Sequence, residues 1–177
     1  MIWESCYWKE TLIKLCSKIE KWECNRKLDE TDFVEIEQAL MIGFYSIRKL
    51  IEAKKLSDKV VNAEFSGESY KNIKNVTNLN WHKIEELYDL NNYTKIKLKL
   101  PFVCNQIIHS YIFVIDELDI GGFSGIYMCS DYKRNKELYH VSSAELKNIF
   151  SLIGNDYPYT GRRVFNQNTK DYDITQA

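Results

Sequence analysis

Between Trp3 and Trp22 the chain repeats Trp8, Leu12, Leu15, Cys16, Ile19 and Trp22 at steps of three and four residues. That spacing gathers side chains on one face of a helix. Lys9, Lys14, Lys18 and Lys21 fall largely off the stripe and are expected in solvent. After a polar connection from Asn25 to Glu30, Thr31 or Asp32 is placed to cap a second helix. Glu35 and Glu37 stand near its start and Lys49, Lys54 and Lys55 near its end, the charge order that a helix dipole favours. Its apolar positions are Phe33, Ile36, Leu40, Met41, Phe44, Ile47, Leu50 and Ile51, which predict the longest element of the chain.

The pattern then weakens. From Leu56 to Asn80 only short alternation near Val60, Val61 and Phe65 interrupts turn-forming residues, so this part reads as an irregular connection with short strands. Asn78 or Asn80 is placed to cap a short helix through Trp81, Ile84, Leu87 and Tyr88, ending near Asn91 and Asn92. Thr94 to Leu100 alternates lysines with apolar residues in a strand period and runs into Pro101, which suits a first helical turn. A helix is therefore expected from Phe102 to about Phe113, although the β-branched and aromatic run Tyr111 to Glu117 also fits a strand. Gly121-Gly122 breaks the chain. Beyond it, Phe123–Asp131 and Glu137–Val141 flank a polar run and predict a hairpin. Ser142 and Glu145 have capping-box spacing for a last helix over Ser143 to about Ile153.

These elements predict a mainly α fold with some β content. It is a helical bundle with a small antiparallel β-hairpin or sheet in the C-terminal half. One domain over residues 1–177 is expected, with 157–177 as a mobile tail. The composition, 45% hydrophobic and 28% charged, supports a packed core. A net charge of −1 gives no general basic excess of the kind that drives non-specific nucleic-acid binding. Five cysteines without a CxxC pair suit neither a disulfide framework nor a zinc site, so buried reduced thiols are expected. The start Met1-Ile2-Trp3-Glu4 has no basic segment, and the longest apolar stretch, Ile107 to Ile115, is too short to span a bilayer. A soluble cytoplasmic protein without a membrane contact is expected.

The segment Cys104-Asn105-Gln106-Ile107-Ile108-His109-Ser110-Tyr111 carries the most suggestive chemistry. On a helix Asn105 and His109 are four residues apart and share a face, pairing a proton-transfer group with an amide. Asn105, His109 and Tyr111 resemble, in order and spacing, the active-site motif of HEPN domains. That resemblance implies a helical bundle, metal-independent RNA cleavage across a homodimer, and roles in toxin–antitoxin or antiviral defence systems. It makes His109 the acid or base and Asn105 its polar assistant. Cys104 stands where the family has arginine, and a thiol provides neither fixed charge nor bidentate phosphate contacts. Arg48, at the margin of the second helix's apolar stripe and four residues before Glu52, is the candidate replacement.

Tyr111 of the motif and Lys133 and Arg134 of the hairpin turn are candidate RNA contacts. His82 and His140 have no partner at metal-ligand spacing, and Asp116, Glu117 and Asp119 read as a solvated acidic turn. No metal or cofactor is expected. Two functional readings follow. The missing arginine favours a binding or assembly module, with a homo-oligomer or protein partner and RNA as a further candidate. The alternative is a metal-independent ribonuclease. Trp3, Tyr7, Trp8 and Trp22 make the first helix aromatic; if exposed, such residues are interface anchors.

Overall fold

The structure is a computed structural model that describes residues 2–24 and 26–177. Met1 and Asn25, the latter the first residue of the expected polar connection, lie outside the described residues. The first two helices form where the apolar spacing predicts them. Helix α1, Ser5–Trp22, buries Leu12, Leu15, Ile19 and Trp22. Lys9 departs from expectation: it is fully buried rather than solvated. Helix α2, Glu30–Glu52, starts two or three residues earlier than Thr31 or Asp32 would place it, because Asp29 is the cap. The Asp29 carboxylate accepts from the Asp32 N–H at 2.9 Å, and the Asp32 carboxylate accepts from the Asp29 N–H at 3.0 Å. Each acid satisfies an N–H group that the helix start leaves unpaired.

The rest of the chain overturns the bundle. The backbone is 40% helical and 31% strand, and its centre is a five-stranded antiparallel sheet. After the short helix α3, Asp58–Val61, the segment expected to be irregular forms strand β1, Glu64–Asn72. The helix expected around residues 81–92 shrinks to α4, Ile84–Leu87, and strand β2 runs from Tyr88 to Lys99. Helix α5, Leu100–Ile108, begins with Pro101 in its first turn and stops after nine residues. The β-branched run then becomes strand β3, Ser110–Glu117. Strands β4, Phe123–Ser130, and β5, Glu137–Ser142, make the expected hairpin. Helix α6, Ser143–Gly154, is capped by Ser142, which accepts from the Glu145 N–H.

The sheet order is β2-β1-β5-β4-β3, so β1, from the first half of the chain, and β2, just past its middle, enlarge a β element expected to be small and confined to the second half. An all-helical HEPN-type domain does not fit this architecture, and the mainly α helical bundle is replaced by an α+β fold. The physical reason lies in β1 and β2. Their exposed face carries Ser66, Glu68, Lys95 and Lys97, so neither strand shows the continuous apolar run of a fully covered strand, and only Thr94–Lys99 of β2 shows the alternation of a half-covered one.

The two faces of the sheet differ. Tyr139, Met128, Val141 and Ile126 face helices α5 and α6, with Phe102 of α5 edge-on to Tyr139 at 5.1 Å between ring centroids. Helix α1 packs on α6 and α2, and α2 packs on α5. The opposite face is half covered by the connection between β1 and β2, which buries Val76, Ile84 and Leu87 and brings the Tyr88 hydroxyl 3.7 Å from Cys129 Sγ. The other half of that face is open. The tail forms a second hairpin, β6, Gly161–Asn166, and β7, Asp171–Gln176. Gln176 ties it back, its N–H donating to Asp58 at 3.1 Å. Between β3 and β4, Gly121 and Gly122 have φ of 89° and 98°. A Cβ at either would fall within 2.9 Å of the backbone after α1, so glycine lets this turn press against that helix end. Among the described residues, no helix is long and apolar enough to cross a membrane.

Candidate functional site

Strand register assembles the principal polar cluster. Lys95 of β2 lies opposite Glu68 of β1, Glu68 opposite His140 of β5, and His140 opposite Tyr127 of β4. Side chains directly opposite in an antiparallel sheet share a face, so these four form one row across the open half. Asp116 of β3 joins them because its opposite residue on β4 is Gly125. Without a side chain at that point, His140 Nε2 reaches Asp116 Oδ2 at 3.0 Å. Its Nδ1 lies 3.8 Å from Glu68 Oε2. The Tyr70 hydroxyl donates to Glu68 at 2.6 Å, the Ser124 hydroxyl donates to Asp116, and the Tyr127 ring lies 4.6 Å from the imidazole, centroid to centroid.

The result is a chain of contacts, Tyr70 to Glu68 to His140 to Asp116 to Ser124, drawn from four strands. His140 keeps only 14% of its side chain exposed. Burial raises the Asp116 pKa, but the hydrogen bonds from His140 and Ser124, with the charge of His140, outweigh it and hold the carboxyl below its usual range. Because Asp116 is a carboxylate, Nε2 of His140 carries a proton toward it, which fixes the ring's orientation.

Beyond Glu68 strand β1 parts from β5, and its Ser66 N–H donates instead to the Glu145 carboxylate at 2.7 Å. The parting opens a cleft of about 480 Å³ lined by Ser66, Glu68, Lys95, Lys97, His140 and Ser142. Lys97 Nζ donates to the Ser66 hydroxyl at 3.0 Å. Neither Lys95 nor Lys97 makes a salt bridge among the described residues.

The residues singled out from sequence fall elsewhere, and in pairs. Arg48 on α2 donates to the Asn105 side chain on α5, and also to Glu52 at 2.8 Å. His109 is exposed and sits at the C-cap of α5 with φ −107° and ψ 26°, past the last helical turn rather than within a helix. Among the described residues its side chain makes no hydrogen bond, although its carbonyl accepts from the Asp131 N–H at 3.3 Å. Tyr111 donates to Asn78, and its ring lies 4.1 Å beneath the Arg134 guanidinium. Arg134 pairs with Asp131 at 3.0 Å and Lys133 with Glu137 at 3.0 Å. The structure thus joins Arg48 to Asn105 and Tyr111 to Arg134, and it turns Lys133 toward an acid of its own hairpin.

The sequence reading missed His140 and its carboxylates. Glu68, Asp116 and His140 are far apart in the chain, and only the register of four strands collects them. The usable signal was strand period on β1 and β5, which puts Glu68 with Tyr70 and His140 with Leu138 on common faces.

A second feature lies where α1 begins, α2 ends and the tail returns. A groove of about 1170 Å³ there is lined by Trp3, Trp8, Tyr45, Tyr157, Tyr159 and Tyr172. Trp3 is 88% exposed and Tyr159 91%, and Tyr7 on the neighbouring turn is 69% exposed. Lys54, Lys55 and Arg163 also line it, and none of the three makes a salt bridge among the described residues. Among the described residues, no group of three His, Cys, Asp or Glu side chains is placed to hold a metal ion. No family model, no curated protein and no solved structure matches the chain.

Proposed function

We propose that the protein is a binding module that uses the aromatic groove to capture a partner protein through an acidic, apolar segment. The observation that carries this reading is the exposure of Trp3 and Tyr159, both of which line one groove. Large aromatic side chains left in water at one place lose most by remaining uncovered, and Trp and Tyr are the residues that most often anchor interfaces. The groove's unpaired Lys54, Lys55 and Arg163 outnumber its single unpaired acid, Asp171, so they select negative charge on whatever covers the rings. A net charge of −1 over the whole chain favours a local acidic segment over a long polyanion.

Selection of a displayed random-peptide library on the immobilised protein tests this. Enrichment of acidic sequences containing apolar residues is expected. The selected peptides should bind a Trp3→Ala/Tyr159→Ala protein at least about tenfold more weakly, the loss of a modest anchor. Peptides that bind the double variant equally well would sink the reading. So would a single-stranded oligonucleotide as the only ligand the variant loses, or a dimer in light scattering that the variant abolishes.

A further inference from the structure

The open half of the sheet is organised in three successive rows, and their order is chemical. In the first, Tyr93 of β2 lies opposite Tyr70 of β1, with ring centroids 6.0 Å apart. In the second, Lys95, Glu68 and His140 are aligned across β2, β1 and β5. In the third, Lys97 lies opposite Ser66, with Ser142 across the cleft. Rows on one face are two residues apart, roughly 6.6 Å along the strand.

We infer that this face binds a mononucleotide laid along β2, a ligand independent of the aromatic groove. The first row offers the exposed ring of Tyr93 to a base, a contact that accepts any base through its π face. The second offers Glu68, an acceptor for the sugar hydroxyls, with His140 behind it. The third offers a phosphate the ammonium of Lys97 and the hydroxyls of Ser66 and Ser142, with Lys95 one row away. Lys97 rests on the neutral Ser66 hydroxyl and, among the described residues, Lys95 pairs with no carboxylate, so both charges are available to an anion. Asp116 and Tyr127 hold the imidazole in place, which keeps the wall beside Glu68 fixed.

The order of the rows favours a ligand that has all three parts over one that lacks any of them. A free phosphate leaves the tyrosine and the carboxylate unused, and a nucleoside leaves the lysines unused. Glu68 also discriminates: a sugar without hydroxyls brings a carboxylate no donor and removes its water, which costs affinity.

Titration of the isotope-labelled protein with adenosine 5′-monophosphate at low salt, followed by amide NMR, is the test. Shifts confined to residues 66–68, 93–97 and 140–142 are expected. Adenosine and the 2′,3′-dideoxy monophosphate should each bind about tenfold or more weakly, the worth of one charge-assisted hydrogen bond. Lys97→Ala, an exposed position, should abolish the advantage of the monophosphate over adenosine while leaving adenosine binding unchanged. Glu68→Gln should narrow the gap between the ribose and dideoxyribose compounds. No shift in these amides at millimolar nucleotide, equal binding of adenosine and its monophosphate, or a Lys97→Ala protein indistinguishable from wild type would overturn the inference.

Discussion

His140 and Asp116 sit on strands that are not neighbours, yet Nε2 of one lies 3.0 Å from Oδ2 of the other, reaching across β4. Gly125 makes the reach possible. A Cβ at Gly125 would stand 2.7 Å from His140 Nε2 and 2.5 Å from the Val141 carbonyl oxygen. The ring could swing away, but the carbonyl belongs to a paired strand and has little freedom. Gly125→Ala is therefore expected to cost about 2 kcal/mol, the range of an overpacked core site. It should also shift the His140 ring signals in NMR. Urea denaturation measures the first effect, and unchanged stability with unchanged ring signals would refute the arrangement.

Helices α1, α2 and α6 were legible because each packs a single apolar stripe, and periodicity reports such stripes directly. Leu12, Leu15 and Ile19, or Ile36, Leu40, Phe44 and Ile47, are all buried. Strand β1 was not legible for the same reason in reverse, and β2 only over Thr94–Lys99, where lysines alternate with apolar residues. Their open face carries the polar residues of the site, and β2 is an edge strand whose Lys95, Lys97 and Lys99 discourage pairing with another chain. A local motif drew attention to His109, where the fold provides an exposed cap. The fold gives the buried polar network to His140, which has no local motif at all.

Two histidine substitutions measure that contrast. His109→Ala removes an exposed side chain without a hydrogen bond among the described residues and should change stability by less than about 0.5 kcal/mol. His140→Ala leaves the half-buried Asp116 carboxylate without its main donor and opens the contact with Tyr127, for a loss of about 2 kcal/mol. Denaturation midpoints in the reverse order would show that the network is not formed in solution.

Acid should weaken the fold through Asp32 and Asp116. The Arg26 guanidinium donates to both Asp32 oxygens at 2.6 Å, and with the Asp29 N–H this holds the Asp32 carboxyl at about 2. Asp116 is also depressed, its hydrogen bonds from His140 and Ser124 prevailing over burial. For a depressed carboxyl the stabilisation is complete above the unfolded value of about 3.9 and is lost as pH falls through the folded value. Wild-type stability should therefore fall between about pH 4 and about pH 2. Asp32→Asn, already without the charge, should fall less steeply there. Equal slopes for the two proteins in urea melts across that window would rule out the pairing.

Lys9 holds two helix ends together. Its ammonium donates to the Lys55 carbonyl at 2.9 Å, just past α2, and to the Asp156 carbonyl, just past α6, and lies 4.4 Å from the centre of the Tyr157 ring. Each carbonyl belongs to the turn that follows a helix, and a buried cation there supplies it with a donor. Burial pulls the Lys9 pKa down while Asp156 opposes it. Lys9→Met keeps the length of the side chain but strands both carbonyls, and should cost about 2 to 4 kcal/mol. Lys14→Met, at an exposed position of the same helix, serves as the control, with a change of less than about 0.5 kcal/mol. If the two variants melt together, the buried lysine is not the tie described.

The five thiols should separate by reactivity. Cys24 is exposed, Cys6 and Cys16 are half-buried, and Cys104 and Cys129 are buried. Burial pushes the Cys104 thiol up to about 12 and the Cys129 thiol up to about 11, so both carry almost no thiolate near neutral pH. Because the thiolate is the nucleophile, charge alone should slow alkylation of Cys104 by about a thousandfold relative to an ordinary thiol, and lack of access slows it further. Mass spectrometry after brief iodoacetamide treatment of the native protein should find Cys24 labelled first and Cys104 and Cys129 unlabelled. Labelling of all five should appear only in denaturant. Cys104 sits in α5 beside Asn105, on the side turned into the core, so its protection reports whether that helix is packed on α2 and β4. Native labelling of Cys104 at the rate of Cys24 would mean that α5 is not seated against the sheet.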